Sequence, residues 1–168
     1  MNELQWGFKF DPGACIQCLG CEAACKMWRH TENGIRWRRV QNVWHGDFPN
    51  VTCSAVSLSC QHCLTPACAD ACPTMAITKS PDGLVRVDPE KCIGCRACFD
   101  ACPYAVPQFG TDGLMQKCDL CADETGVRPD GDVRPPCVTT CPTRALILIN
   151  MTTAEKIGSE QDALSGLK

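Results

Sequence analysis

Short apolar runs alternate with cysteine-rich loops along most of this chain. Apolar or β-branched residues occupy 74–77, 104–106 and 143–149, and a cysteine-proline pair immediately precedes each of these runs. Proline ends a helical turn, and β-branched residues favour strands. The pattern predicts a repeat of strand, cysteine loop, one or two helical turns carrying the last cysteine of the loop, and strand. The alternation at 51–56 predicts a further strand.

Long elements are not predicted. No amphipathic stretch of several turns precedes the polar tail, where Thr152 or Thr153 could cap a last helix. No run reaches the roughly 20 apolar residues that cross a bilayer, and residues 1–10 lack the pattern of an export signal. These features predict a small α+β fold with short strands and short helices, without direct membrane insertion.

The composition limits the classes of protein to which this chain can belong. Seventeen of the 168 residues are cysteine, and the formal net charge is −3. This mildly acidic balance does not favour nucleic-acid binding, and the basic run 36–39 is too short to change that. So much cysteine indicates either a disulfide scaffold or a metal-cluster protein.

The cysteines fall into four groups with related spacing. The order C-x-x-C-x-x-C-x-x-x-C is complete in the first and third groups, whereas the second and fourth lengthen the gap before their third cysteine. The four groups are Cys15, Cys18, Cys21, Cys25; Cys60, Cys63, Cys68, Cys72; Cys92, Cys95, Cys98, Cys102; and Cys118, Cys121, Cys137, Cys141. An Asp-Pro turn precedes the first and third groups alike, at Asp11-Pro12 and Asp88-Pro89.

This spacing favours 4Fe-4S clusters. In two-cluster ferredoxins the last cysteine of each run binds the other cluster, so four runs predict four clusters and sixteen ligands. Structural zinc sites use two separated pairs and need no third and fourth cysteine, and disulfides within C-x-x-C would form strained loops. A catalytic thiol would need a base from among His30, His45 and His62, and we expect His62 to be a loop residue beside a cluster. The cysteine left over, Cys53, is expected to be a core residue and not a ligand.

Several other residues are candidates for tuning or docking. Lys117 and Arg96 adjoin cysteines, where positive charge raises cluster potential, and Gly20 and Gly94 would let backbone approach a cluster. The polar stretch 122–136 is expected to be a surface lobe, and it and the aromatic stretch 28–48 are candidate docking surfaces.

All four groups in order, from Phe8 to Ile149, resemble the four-cluster ferredoxin-like electron-transfer subunits of molybdopterin oxidoreductases. These include the iron-sulfur subunits of dimethyl sulfoxide, polysulfide and tetrathionate reductases and of respiratory formate dehydrogenase. The resemblance implies two two-cluster modules: a discontinuous outer module of residues 1–50 plus 111–150 and an inner module of residues 51–110, followed by a C-terminal tail at 151–168. It also implies four ligand sets, which are set 1 (Cys15, Cys18, Cys21, Cys141), set 2 (Cys118, Cys121, Cys137, Cys25), set 3 (Cys60, Cys63, Cys68, Cys102) and set 4 (Cys92, Cys95, Cys98, Cys72).

The expected function is single-electron relay between a molybdopterin catalytic subunit and an external redox partner, with no catalytic site in this chain and a setting in anaerobic respiration. A membrane anchor or a soluble electron carrier would be the second partner. The expected location is the cytoplasm, or outside it if the chain is exported bound to a partner. A free-standing polyferredoxin shuttle and a zinc-stabilised binding module are the alternatives.

Overall fold

The computed structural model describes residues 5–122 and 134–151. In chain order the elements are β1 (Trp6–Phe10), α1 (Gly20–Arg29), β2 (Arg39–His45), β3 (Thr52–Leu58), α2 (Ala67–Asp70), β4 (Ile77–Lys79), β5 (Val85–Val87), α3 (Ala97–Asp100), β6 (Gln108–Phe109), β7 (Met115–Gln116), α4 (Pro136–Thr139) and β8 (Leu146–Asn150). The α+β class with short strands and short helices is therefore confirmed. The predicted cap at Thr152 or Thr153, the tail after Met151 and most of the stretch 122–136 lie outside the described residues.

The strands form four separate two-stranded antiparallel sheets, namely β1–β8, β2–β3, β4–β5 and β6–β7. The first of these joins distant parts of the chain, with Phe8 opposite Leu148 and Phe10 opposite Leu146. Asp11 N–H donates to Ala145 O (2.7 Å) just beyond this ladder. The two outer segments of the chain are thus held together by backbone hydrogen bonds.

The strands after the cysteine-proline pairs begin later than the apolar pattern predicts. Met75, Ala105 and Arg144 each stand three residues after a cysteine and adopt left-handed conformations, with φ of 52°, 47° and 55°. Each of their N–H groups donates to the carbonyl of that cysteine, at 3.2 to 3.3 Å. Because this turn reverses the chain first, the strands start at 77, 108 and 146.

The helices differ in length because proline follows the last cysteine in only three of the four groups. α2, α3 and α4 have four residues each, whereas α1 has ten. Proline follows the last cysteine of groups two, three and four and would clash with a continuing helix, but Lys26 follows Cys25. α1 therefore continues past its cysteine and ends only at His30, in a left-handed conformation with φ 47°.

The two Asp-Pro turns make the same hydrogen bonds. Cys15 N–H donates to Pro12 O and Cys92 N–H donates to Pro89 O, both at 3.3 Å. Asp88 N–H donates to Ala76 O (2.8 Å), as Asp11 does to Ala145. The sequence repeat is therefore also a structural repeat.

Cysteines form much of the buried core. One cluster of buried residues contains Phe8, Leu84, Leu120, Leu146 and several cysteines, and a second contains Ile77, Val85, Cys98 and Met115. Both expected module boundaries fall inside hairpins, since β2 pairs with β3 across 50/51 and β6 pairs with β7 across 110/111. No helix in residues 5–122 and 134–151 is long and apolar enough to cross a membrane.

Candidate iron-sulfur sites

All seventeen cysteines lie in the described residues, and none of them forms a disulfide. The cysteine loops share one backbone conformation. The residue two positions after the first cysteine of each group is left-handed, namely Gln17 (φ 58°), His62 (47°), Gly94 (66°) and Leu120 (62°). Only one of these is glycine. A left-handed backbone costs other residues on the order of 1–3 kcal/mol, so a repeated cost of this kind indicates a functional constraint.

This conformation points amide groups at sulfur. Gln17 N–H donates to Cys15 Sγ and His62 N–H donates to Cys60 Sγ, both at 3.4 Å. Met115 N–H reaches Cys92 Sγ at the same distance. Successive amides around a left-handed residue form anion-binding concavities of the kind found at iron-sulfur sites.

The members of set 2 lie together in the interior. Cys25, Cys118, Cys121 and Cys137 are each 4–6 % exposed. The ionisation of Cys118 and of Cys121 responds to the charges of both Cys25 and Cys137. α1 and α4, which carry Cys25 and Cys137, pack against each other to bring these thiols into one place.

The inner cysteines are also brought together. Cys68 interacts electrostatically with Cys60, Cys63 and Cys102, which are the other members of set 3. The members of set 4, Cys72, Cys92, Cys95 and Cys98, line a single cavity that Arg96 and Phe109 also line.

The members of set 1 are connected through neighbouring residues. Gly20 lies between Cys18 and Thr140, because a Cβ there would stand 3.5 Å from Cys18 Sγ and 3.4 Å from Thr140 Cγ2. Thr140 precedes Cys141, so groups one and four meet here. Cys21 also interacts with Cys137 of set 2, which places sets 1 and 2 side by side. The assignment of all sixteen ligands stays a prediction.

The residues fit a cubane by two further observations. Among residues 5–122 and 134–151, no three His, Cys, Asp or Glu side chains are grouped closely enough to hold one metal ion. Cubane ligands bind different irons and stand farther apart than the ligands of a single ion, so this spacing is compatible with a cluster. Two buried nitrogens near the thiols, Arg38 Nε and His62 Nε2, have no hydrogen-bond partner within the described chain.

Comparison with known proteins gives the same chemistry. The family model described as "4Fe-4S dicluster domain" matches residues 51–151, and that described as "4Fe-4S binding domain" matches residues 12–28. The protein is 42% identical over 151 residues to a polypeptide of the anaerobic dimethyl sulfoxide reductase of Escherichia coli, covering 84% of this chain and 72% of that protein. It is 36% identical over 159 residues to the formate dehydrogenase iron-sulfur subunit of Wolinella succinogenes (83% and 78%). It is also 36% identical over 160 residues to a subunit of the sulfite dehydrogenase of Allochromatium vinosum (84% and 67%).

The chain belongs to this family of oxidoreductase iron-sulfur subunits. It is an electron-transfer protein that binds 4Fe-4S clusters, and the family resemblance of the sequence is confirmed. The expected setting of anaerobic respiration fits the dimethyl sulfoxide reductase relatives.

Burial keeps most interior thiols of this iron-sulfur subunit protonated before iron binds. It raises the pKa of Cys25 and of Cys68 to about 11 and that of Cys121 to about 12, and it raises the pKa of Cys118 well above its ordinary value. Since the thiolate is the metal ligand, cluster binding must release these protons.

Two other thiols have a lowered pKa. Burial opposes ionisation of Cys72 and Cys141, but hydrogen bonds lower the pKa of both. Thr74 and three backbone amides surround Cys72, and Thr143 and three backbone amides surround Cys141. These positions are equivalent in the repeat, because each threonine follows a cysteine-proline pair.

Sequence reasoning missed the most buried cation among the described residues of the iron-sulfur subunit. Arg38 is 1 % exposed and donates to Ser57 Oγ and Ser59 Oγ, both at 2.9 Å. Burial alone would lower the pKa of Arg38, but the neighbouring Cys137, Cys118 and Cys21 raise it. Arg38 belongs to the short basic run 36–39, and nothing in the sequence indicates that one residue of this run is buried.

The two cations predicted from sequence to act on clusters lie in different surroundings. Lys117 is 4 % exposed, and its Nζ donates to Val85 O and to Cys118 O. Its charge also acts on Cys68, so it lies between sets 2 and 3. Arg96 caps α3 beside the set 4 cavity and stacks on Phe109 (5.1 Å).

His62 is fully buried and neutral. Burial, with Lys117 and Arg86 nearby, lowers the pKa of His62 well below its usual value. Its Nδ1 accepts a hydrogen bond from Val85 N–H (3.0 Å), which leaves the proton on Nε2. His62 is thus a structural loop residue whose remaining donor faces no partner in the described chain.

Three other expectations change in detail. Gly94 is required by its φ and by the backbone of Gly113, because a Cβ would stand 2.6 Å from Gly113 O. Cys53 is half-buried beside Gln17 and not a core residue. In the aromatic stretch 28–48, Trp28, Trp44 and Phe48 are exposed, whereas Trp37 donates to Gln116 Oε1 (2.9 Å) and packs on the core.

Proposed function

We propose that this iron-sulfur subunit holds four 4Fe-4S clusters on ligand sets 1 to 4 and relays single electrons between a catalytic subunit and an external redox partner. A bound 4Fe-4S cluster supplies reversible one-electron transfer. The chain contributes no bond chemistry of its own and no catalytic site.

The observation that carries this proposal is the fourfold repetition of the loop backbone. Gln17, His62, Gly94 and Leu120 adopt the same left-handed conformation at the same position of each group, although three of them are not glycine. A single structural metal site would not need four copies of this loop.

In this proposal, the protein residues hold the clusters, set the charge distribution around them and limit their access to water. Sixteen thiolates would bind iron, and backbone amides such as those of Gln17, His62 and Met115 would donate to sulfur. Donors of this kind stabilise the more negative, reduced state and so set the potential. Burial of all four cysteines of set 2 would exclude water from the cluster that they bind.

We propose that the clusters form two modules, with sets 1 and 2 in the outer module and sets 3 and 4 in the inner one. The β1–β8 ladder and the packing of α1 against α4 support an outer module assembled from both ends of the described chain. The boundaries are better placed outside the hairpins than at 50/51 and 110/111, because a paired hairpin moves as a unit.

The proposed catalytic partner carries molybdopterin, as the family resemblance implies. A membrane anchor or a soluble electron carrier would be the external partner, and the complex would lie in the cytoplasm or be exported together. A free-standing polyferredoxin shuttle is the alternative. It would purify as a soluble single chain, whereas a subunit would co-purify with a larger chain that contains molybdenum.

The deciding experiment is the iron and acid-labile sulfide content of anaerobically purified full chain, with the low-temperature EPR spectrum of the reduced protein. About sixteen irons and about sixteen sulfides per chain, with spin-coupled cubane signals, are expected for four 4Fe-4S clusters. Zinc in place of iron, or iron well below this value in fully folded protein, would refute the four-cluster relay.

A further inference from the structure

Within residues 5–122 and 134–151, the most buried positive charge has no ion pair to a carboxylate. Arg38 stands in the bend just before β2 and is 1 % exposed. None of the ion pairs of the described residues involves it. Its hydrogen bonds go to two neutral hydroxyls, Ser57 and Ser59, and its plane covers the Phe8 ring at 4.1 Å. A buried charge that lacks an opposite charge is costly, so a counter-anion is required.

The groups around Arg38 that can become negative are cysteines of two ligand sets. Its charge interacts with Cys137 and with Cys118, both in set 2. It also interacts with Cys21 of set 1, whose Sγ lies 3.8 Å from the same Ser57 hydroxyl. The backbone of Arg38 makes a hydrogen bond to Cys25, the set 2 cysteine on α1.

We propose that Arg38 is the shared internal counter-charge of the two clusters bound by sets 1 and 2, and that it raises the reduction potential of both. This inference rests on the proposed function. Each one-electron reduction adds one negative charge to a cluster and binds no proton, so a fixed cation within the same low-dielectric interior stabilises the reduced form. Arg38 is a positioning and tuning residue, since it carries no electron itself.

The surroundings of Arg38 hold the charge in place. The Ser57 and Ser59 hydroxyls fix both terminal nitrogens, and Phe8 on β1 covers the guanidinium face. Closure of β1 on β8 therefore also closes the space around this cation. Arginine suits the position because it stays charged at all accessible pH values.

The test is an EPR-monitored redox titration of anaerobically purified full chain, with any subunits that co-purify. Arg38→Gln removes the charge and should shift the redox equilibrium of two of the four clusters about tenfold or more toward the oxidised form, or about 59 mV for a one-electron couple. Arg38→Lys keeps the charge and should recover most of that shift. Arg36→Gln is the matched control, because the Arg36 side chain is 52 % exposed and pairs with Glu22, and it should change no potential measurably.

Each remaining outcome decides the question. Unchanged potentials in fully loaded Arg38→Gln protein, a shift of one cluster alone, an equal shift of all four clusters, or an equal shift in Arg36→Gln would overturn the proposal. If Arg38→Gln binds less iron, the proposal requires Arg38→Lys to load fully, and a depleted Arg38→Lys protein would overturn it. Wild-type protein without clusters would instead refute the proposed function.

Discussion

Two threonine hydroxyls lie at equivalent places beside cysteine thiols. Thr74 Oγ1 is 3.7 Å from Cys72 Sγ, and Thr143 Oγ1 is 3.8 Å from Cys141 Sγ. The group that ends at Cys25 is followed by Lys26-Met27 and the group that ends at Cys102 by Pro103-Tyr104, so neither has a threonine at this position. The clusters of sets 1 and 4 are therefore expected to accept a hydrogen bond from a threonine hydroxyl.

Replacing either threonine by valine removes one donor to a ligand thiolate. A net hydrogen bond is worth about 1 kcal/mol. Thr74→Val and Thr143→Val should therefore each shift the equilibrium between the oxidised and reduced forms of one cluster toward the oxidised form, by up to about fivefold. Potentiometric EPR measures this. Thr78→Val, at an exposed position of β4, is the matched control, and a shift there as large as in Thr74→Val would contradict the assignment.

Cys53 provides a second test at the scale of single residues. It lies on β3 beside Gln17, outside the four ligand sets. Cys53→Ser should leave iron and sulfide per chain unchanged, whereas Cys68→Ser should remove iron, because Cys68 interacts with the other three cysteines of set 3. Loss of iron in Cys53→Ser protein, measured by metal analysis, would show that the seventeenth cysteine is a ligand.

Cations that act on thiols could be predicted when they adjoin a cysteine in the sequence, but not when only the fold brings them near one. Lys117 and Arg96 were predicted because they adjoin cysteines in the sequence, and both lie near thiols or the cavity that thiols line. Arg38 lies far from any cysteine in the sequence and belongs to a run of arginines that resembles an exposed basic patch. It becomes interior only through contacts distant in sequence, namely the pairing of β2 with β3, which places Ser57 beside it, and the cover of Phe8 on β1.

At the scale of elements, α1 and the loop after it act as one unit. Lys26, in the place that proline takes in the other groups, donates to the carbonyls of Thr31 (3.2 Å), Glu32 (2.8 Å) and Ile35 (3.2 Å). The Glu32 carboxylate in turn accepts from Thr111 N–H at 3.0 and 3.1 Å. The extended helix thereby connects to the turn of the β6–β7 hairpin.

Removing the Lys26 ammonium should loosen this connection. Lys26→Met keeps the aliphatic chain and removes the ammonium donor from three carbonyls, which should cost about 1–3 kcal/mol. Glu32 O and Ile35 O each keep a second donor, in Ile35 N–H and Thr31 Oγ1. For a chain of this size that lowers the melting temperature by roughly 2–4 °C per kcal/mol, as measured by anaerobic circular dichroism. Lys9→Met, at an exposed position of β1, should change the melting temperature little, and an equal loss in both variants would indicate a general charge effect.

The elements that carry cysteines were predicted in position but not in detail. The short helices α2, α3 and α4 carry the third cysteine of each group (Cys68, Cys98 and Cys137) and end before the fourth, which was expected to lie on them. Spacing and proline positions located the short helical turns, but the start of each strand depended on a left-handed residue, such as Met75 or Ala105, that no composition rule requires. β2 was not predicted, because the stretch 39–45 mixes polar and apolar residues and becomes a strand only by pairing with β3.

At the scale of the whole molecule, the β1–β8 ladder closes the fold. Phe8 is 6 % exposed, packs in the larger core cluster and covers Arg38. Sequence alone did not reveal this closure. The discontinuous outer module was expected only from the family resemblance, and the ladder supports it without testing the ligand assignment.

Phe8→Ala should therefore destabilise the whole protein. Truncation of a buried phenylalanine costs about 3–5 kcal/mol, and we expect faster bleaching of the clusters under denaturant than in wild type, followed by visible absorbance under anaerobic conditions. Phe48→Ala makes the same chemical change at a residue that is 92 % exposed and should bleach at the wild-type rate. Equal bleaching rates for the two variants would contradict the role of β1 in closing the fold.

The pairing of β1 with β8 also orders events during synthesis. The ribosome completes the proposed sets 3 and 4 once Cys102 has emerged, but sets 1 and 2 wait for Cys137 and Cys141, and β1 waits for its partner strand still longer. At roughly 5–20 residues per second this interval lasts a few seconds. In that time the first cysteine group and Phe8 are exposed to the cell without the strand that pairs with β1. The machinery that delivers iron and sulfide, or a chaperone, is therefore expected to protect the nascent segment that carries β1 until β8 arrives.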